Sequence, residues 1–202
     1  MKISATKLFA VLRFGAVLLL TQWLLAAELR ADSDYTAKAG KISFNVDCNI
    51  AFLKVSGNSS VVKGGGVATV NGNTVTVRNL RFEVDPKTLK TGISLRDQHM
   101  HEKVFMASDG SIPPIVLRAD RFEATLNGNS KWEGKLQGQL SMRGVTKPVS
   151  FKASLEKNGS GAVVAAEGTV RTTDFGVKPI TYSGAAVDDE VAVIVSGLRV
   201  EP

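Results

Sequence analysis

From residue 41 onward, apolar and polar residues alternate along most of the chain. In residues 41–48, Ile42, Phe44, Val46 and Cys48 fall on one face and Ser43, Asn45 and Asp47 on the other, the signature of a strand with one buried side. Residues 51–55 continue or pair with this strand. Further strands are predicted over residues 67–70, 74–84, 115–126, 130–142, 149–156, 162–172 and 191–200. Between them stand Asn71-Gly72-Asn73, Asn127-Gly128-Asn129, the loop Arg143 to Lys147, and Asn158-Gly159-Ser160-Gly161. Asn-Gly pairs between β-branched runs are the strongest short hairpin signal, because both turn residues adopt positive φ. Residues 32–40 read as a polar lead-in, 57–66 as a Gly/Ser/Asn-rich connection and 173–182 as another. Pro148 is placed at the start of its strand, where no ladder donor is needed.

Two of these strands change phase internally. The apolar face of 74–84 passes from Val75 and Val77 to Leu80, Phe82 and Val84, and one inserted residue at Arg78 or Asn79 accounts for the shift. Residues 115–126 slip in the same way, between Ile115, Leu117 and Ala119 and then Phe122, Ala124 and Leu126. Bulges of this kind bend strands. In residues 130–142, Gly134 and Gly138 share the inward phase of Trp132, Leu136, Leu140 and Met142, which calls for a sharp bend or a close approach of another chain segment. About eight hairpin-linked strands with bulges and inward glycines predict an all-β fold. A closed up-and-down antiparallel barrel fits better than the alternative, a β-sandwich, because closure demands curvature and removes edges.

One stretch breaks the pattern. Residues 91–105 place Leu95, His99 and Glu102 at i, i+4 and i+7, the spacing of a short helix, with Ser94 and Asp97 placed as a capping box. Both histidines lie here, yet residues two apart on a helix point about 200° apart, so His99 and His101 do not share a metal site. Arg96, Asp97 and His99 are expected to make local hydrogen bonds and ion pairs that hold the helix against the barrel mouth. Catalytic motifs are absent: there is no Gly-x-Ser-x-Gly elbow, and Gly64-Gly65-Gly66 lacks the Lys and helix of a phosphate loop. No catalytic residue, metal or cofactor is assigned.

Composition adds an address. Lys2, Lys7 and Arg13 precede an uncharged apolar run, residues 14–27, that ends in small residues. This is the form of a signal peptide cleaved after Ala27 or Ala31, too short for a spanning helix of ~20 residues. Residues 1–31 are thus read as a leader and 32–202 as one β-barrel domain, which is expected in the periplasm. Removal of the leader lowers the net charge from +6 to +3 and leaves no basic, aromatic-interleaved stripe for nucleic acid. Cys48, the single cysteine, reads as a small buried hydrophobe.

Three segments carry a resemblance. Thr91-Gly92-Ile93-Ser94-Leu95-Arg96-Asp97-Gln98-His99-Met100, Arg143-Gly144-Val145-Thr146-Lys147-Pro148-Val149 and Thr173-Asp174-Phe175-Gly176-Val177 resemble the YceI-like family of exported polyisoprenoid-binding proteins, over roughly residues 41–200. The resemblance implies an extended, lipocalin-like eight-stranded antiparallel barrel with one short helical insert as its cap. It also implies an isoprenoid or other long-chain lipid inside the barrel, and no catalytic mechanism. An eight-stranded barrel is wide enough either to be filled by its own side chains or to hold one apolar ligand. The inward phase nominates Phe44, Val46, Leu80, Phe82, Leu117, Phe122, Leu136, Leu140, Phe151 and Leu155 as the ligand-binding lining. Two alternatives stay open: a packed barrel whose surface binds another exported protein, for which Trp132, Phe122 and Phe151 supply bulk, and a His-dependent hydrolase. Transient contact with a membrane or another exported protein is compatible with a carrier.

Overall fold

The structure, a computed structural model, describes residues 32–50, 54–128, 130–182 and 184–202. The expected leader, residues 1–31, and the first residues of the expected 51–55 segment lie outside the described residues. The strands in chain order are β1 (Ser33–Cys48), β2 (Lys54–Ser59), β3 (Lys63–Asn71), β4 (Thr74–Val84), β5 (Ile115–Asn127), β6 (Lys131–Met142), β7 (Val145–Asn158), β8 (Gly161–Arg171), β9 (Thr181–Tyr182) and β10 (Ala185–Glu201). Neighbours pair antiparallel in the order β1-β3-β4-β5-β6-β7-β8-β10, and β10 pairs with β1 along most of its length. That last pairing closes an eight-stranded barrel. On its other edge β1 is shared: Ser33–Thr36 pairs with β3, whereas Ile42–Asp47 pairs with β2.

The phase slips are bulges. Gly65 pairs with Arg81 and Val67 with Arg78, so β4 carries one extra residue, at Asn79 with φ 52°. Against β6, β5 slips once between Arg118 and Thr125. The two bends face each other, since Val77 pairs with Phe122 and Leu80 with Ala119. All four of these side chains are buried, so β4 and β5 change faces together and the sheet coils there without losing its inner surface. A third slip, between Val195 and Leu198 of β10, surrounds Gly197 at φ 60°.

Gly134 and Gly138 of β6 lie beside the β5 bulge. A Cβ would stand 2.1 Å from the Glu123 carbonyl oxygen at Gly134 and 2.5 Å from that of Arg118 at Gly138. The β5 backbone occupies the space a side chain would need. Most of the expected 57–66 connection is strand: residues 57–59 belong to β2 and pair with β1, and 63–66 belong to β3, where a Cβ on Gly65 would meet the Tyr35 carbonyl oxygen at 1.8 Å. β1 likewise begins at Ser33 instead of residue 41. Its inward phase changes on the way: Tyr35 lines the lumen, two register shifts against β10 fall between Ala37 and Lys41, and Ile42 lines the lumen again, which hides the alternation.

Turns differ in detail from the expectation. Asn71 pairs with Thr74, so the first hairpin turns on Gly72-Asn73, and Gly72 takes φ 57° while neither asparagine has positive φ. Arg143-Gly144 is a two-residue turn with φ 55° and 79°, and Met142 pairs with Val145. The expected five-residue loop is therefore shorter, and Pro148 lies inside β7 opposite Gln139.

Between β4 and β5 the chain crosses the barrel end. A 3₁₀ turn, Pro86–Thr88, leads to helix α1 (Ser94–Met100), whose continuation His101–Phe105 is a π-helical turn closed by Met106 N–H donating to the His101 carbonyl at 3.0 Å. The expected capping box does not form: Ile93 is the N-cap and makes no side-chain cap bond. Asp97 is engaged elsewhere, accepting from Thr91 N and Oγ1 at 2.7 and 2.5 Å.

Candidate functional site: the barrel lumen

Strand direction places the two ends of the barrel. The β3–β4, β5–β6 and β7–β8 turns lie at one end, with the start of β1. The α1 segment, the Arg143-Gly144 turn and the Thr172–Phe175 3₁₀ turn lie at the other. The inward positions of β6 are Trp132, Leu136, Leu140 and Met142 with Gly134 and Gly138 between them, whereas Glu133, Lys135, Gln137 and Gln139 face out. This polarity is the reverse of that in a barrel spanning a bilayer, whose outer band is apolar.

The lumen is not filled. It holds a cavity of about 1120 Å³, just above the usual range for small-molecule sites. It extends from Tyr35, Val70 and Gly159–Gly161 at the turn end to Leu95, Arg96, His99 and Lys103 under α1. Phe44, Val46, Leu80, Phe82, Leu117, Phe122, Leu136, Leu140, Phe151 and Leu155 all line it. These ten come from β1, β4, β5, β6 and β7, and ring closure brings them to one space. Trp132, Phe122 and Phe151 form part of the wall without closing it. Cys48 is a free thiol, half-buried at the cap end of β1, and also lines the cavity.

Two carboxylates fasten the cap end. Burial alone would raise the Asp97 pKa, but the Thr91 hydroxyl and N–H, with the charges of Lys90 and His101, outweigh it and hold the carboxyl below the usual aspartate range. Arg96 Nη2 donates to the Thr91 carbonyl at 2.9 Å, so the expectation of local bonds from Arg96 and Asp97 holds. Asp189 of β10 accepts from Thr173 N and Oγ1, each at 2.7 Å, from Thr172 Oγ1 at 2.9 Å and from Arg171 Nε at 3.1 Å. Here too burial opposes the charge and the donors, Thr173 first, prevail, so the carboxyl sits far below its usual range. The turn they secure buries Phe175 and Val177, at 2% and 3% exposure. The three sequence segments hold this end together: one ties the cap and also lines the lumen, one makes a hairpin and one anchors a buried ring.

Sequence reasoning missed a second feature at this end. A smaller cavity of about 360 Å³ is lined by Lys103, Arg143, Gly176, Lys178, Pro179, Ile180 and Thr181. Lys103, Lys178, Pro179, Ile180 and Thr181 also line the lumen, so the two spaces adjoin. Arg143 Nη1 donates to the Lys103 carbonyl at 3.0 Å and pins the β6–β7 hairpin to the helix. Its basic residues are far apart in sequence, with no local pattern to announce them. Among the described residues no group of His, Cys, Asp and Glu is arranged to hold a metal.

The YceI-like domain profile matches residues 34–197. The chain belongs to the YceI-like family. A UPF0312 protein of Pseudomonas fluorescens is 28% identical over 197 residues, covering 93% of this chain and 95% of that one. One from Pseudomonas putida is 27% identical over 194 residues, with the same coverage. Among solved structures, Burkholderia cenocepacia BcnA superposes with TM-score 0.60 at 14% identity, covering 81% of this chain and 96% of that one. A polyisoprenoid-binding domain from Saccharophagus degradans, implicated in plant cell wall breakdown, superposes with TM-score 0.56 at 11% identity, covering 83% and 97%. The YceI-like fold of this chain is therefore one that polyisoprenoid-binding proteins share.

Proposed function

We propose that this YceI-like protein is an exported, non-enzymatic carrier that holds an isoprenoid or other long-chain lipid inside its barrel. The observation that carries the reading is the open, almost wholly apolar lumen of about 1120 Å³. Burying a chain there removes its methylenes from water at ~0.8 kcal/mol each, so about ten suffice for micromolar binding without any charged contact. The ten inward residues from Phe44 to Leu155 are the proposed chain contacts. The leader-like residues 1–31 support export to the periplasm. A fold neighbour from Saccharophagus degradans is a polyisoprenoid-binding domain, which supports a binding role over a catalytic one.

The test is organic extraction of the protein purified from its native compartment, followed by mass spectrometry. A long-chain lipid in near-stoichiometric amount is expected. Repeated recovery of nothing above background overturns the proposal.

A further inference from the structure

The lumen is apolar along its walls, but at the cap end it adjoins a space of a different kind. The smaller cavity is walled by Lys103 from the π-helical turn, Arg143 from the β6–β7 hairpin and Lys178 from the segment before β9. No carboxylate lines it, and among the described residues none of these three cations forms an ion pair. Elsewhere on the barrel, acidic partners are close to hand: Arg81 pairs with Glu83, Arg121 with Glu123 and Lys131 with Glu133. Arg96, on the same side of the lumen, has a buried Nε with no hydrogen-bond partner. The acids in the lumen lining are Asp188 and Asp189; Asp189 is taken up by Arg171, Thr172 and Thr173, and neither lines the smaller cavity.

We infer that the smaller cavity receives the anionic head group of the lumen's ligand, so that the cargo is an amphiphile with a long apolar chain and a terminal oxyanion, phosphate or carboxylate. The two spaces share Lys103 and Lys178, so a molecule with its chain among the strands presents its end to both ammonium groups. Phosphate and carboxylate oxygens accept charge-assisted hydrogen bonds from Lys and Arg. Both lysines are solvent-exposed, which lets the head group keep part of its hydration while the chain is dry. The attraction is accordingly screened and selects among chains more than it holds them. Arg143 contributes its charge from a fixed position, because its guanidinium also bonds the Lys103 carbonyl.

This inference rests on the lumen reading proposed above, and one binding experiment separates the two. Geranylgeranyl phosphate, geranylgeraniol and inorganic phosphate are titrated into the protein by calorimetry at low ionic strength. The phosphate ester is expected to bind about tenfold more tightly than the alcohol, as one or two screened charge-assisted bonds provide, with the ratio shrinking in 0.5 M salt. In the double variant Lys103→Gln/Lys178→Gln the ratio is expected to fall towards one, and in the outer-face control Lys135→Gln it stays at the wild-type value. Equal affinity for ester and alcohol in the wild type, or a ratio that survives the double substitution, overturns the inference and leaves the lipid-binding lumen standing. Inorganic phosphate binding as tightly as the ester shows a free-anion site and also overturns it. Binding of neither prenyl probe overturns the lumen reading, and this inference falls with it.

Discussion

Asp97, in the first turn of α1, reaches back to Thr91 and accepts both its backbone N–H and its hydroxyl, at 2.7 and 2.5 Å. This six-residue clasp, with Arg96 bonding the Thr91 carbonyl, holds the start of the cap over the barrel end. Asp97 is 8% exposed, so its truncation removes acceptors from donors that water reaches poorly. Asp97→Ala is expected to destabilise the protein by about 2 kcal/mol and to speed release of bound lipid. Urea unfolding and a dissociation-rate measurement check it. An unchanged off-rate would show that the clasp does not govern access.

The same carboxylate gives the stability a pH dependence of known sign. Asp97 and Asp189 both have folded-state pKa values below the usual aspartate range. The unfolded chain therefore binds protons that the folded chain refuses. Their contribution is complete above the unfolded value of ~3.9 and disappears as pH falls through the lower folded values. Thermal melts from pH 7 to pH 2 should show stability declining below about pH 4, with a shallower acid limb in Asp97→Asn and Asp189→Asn. A wild-type acid limb unchanged in both variants would refute the assignment.

Leu140 and Gln139 are neighbours on opposite faces of β6. Leu140 is buried and lines the lumen, whereas Gln139 is exposed. A carboxylate at position 140 faces an apolar space without a partner, at a cost of roughly 3 kcal/mol or more. Leu140→Glu is expected to unfold the protein or to abolish lipid retention, and Gln139→Glu to be nearly silent. The reverse outcome would mean that the strand is inside out, since a one-residue slip exchanges their roles.

Gly134 is required by steric closeness alone. Its added methyl would stand 2.1 Å from the Glu123 carbonyl oxygen, and backbone cannot move aside as a flexible side chain can. Gly134→Ala should cost about 1–3 kcal/mol in urea denaturation, although alanine ordinarily favours a strand more than glycine does. A neutral result would show that the β5 bulge relaxes freely.

Trp132 lines the lumen and is the only tryptophan of residues 32–202. In a chain lacking residues 1–31, its fluorescence is expected to be quenched by a brominated long-chain lipid, with saturation near one lipid per protein. Lack of quenching where calorimetry shows binding would place the ligand outside the barrel.

Which face turns inward was legible from sequence in β4 to β7 and the second half of β1, because side-chain direction repeats every two residues and needs no knowledge of the partner strand. Val77 to Leu80 and Ala119 to Phe122 even reported their bulges, since an inserted residue leaves its mark in the local phase. The cap was legible as the stretch that breaks the period, but its clasp was not: Ser94 and Asp97 have the spacing of a capping box, and only the path of residues 91–93 decided that Asp97 binds Thr91 instead. Register shifts concealed the first half of β1, and glycines the Gly64–Gly66 part of β3, where close backbone approach had removed the side chains that carry a pattern. Closure by β1 and β10, the division of one β1 edge between β2 and β3, and the meeting of Lys103, Arg143 and Lys178 are long-range facts with no local period. Whether the lumen was open or filled was likewise decided in three dimensions. The inward faces of all the strands share a single interior, and its free volume depends on barrel radius and the sum of side chains, which no one strand records.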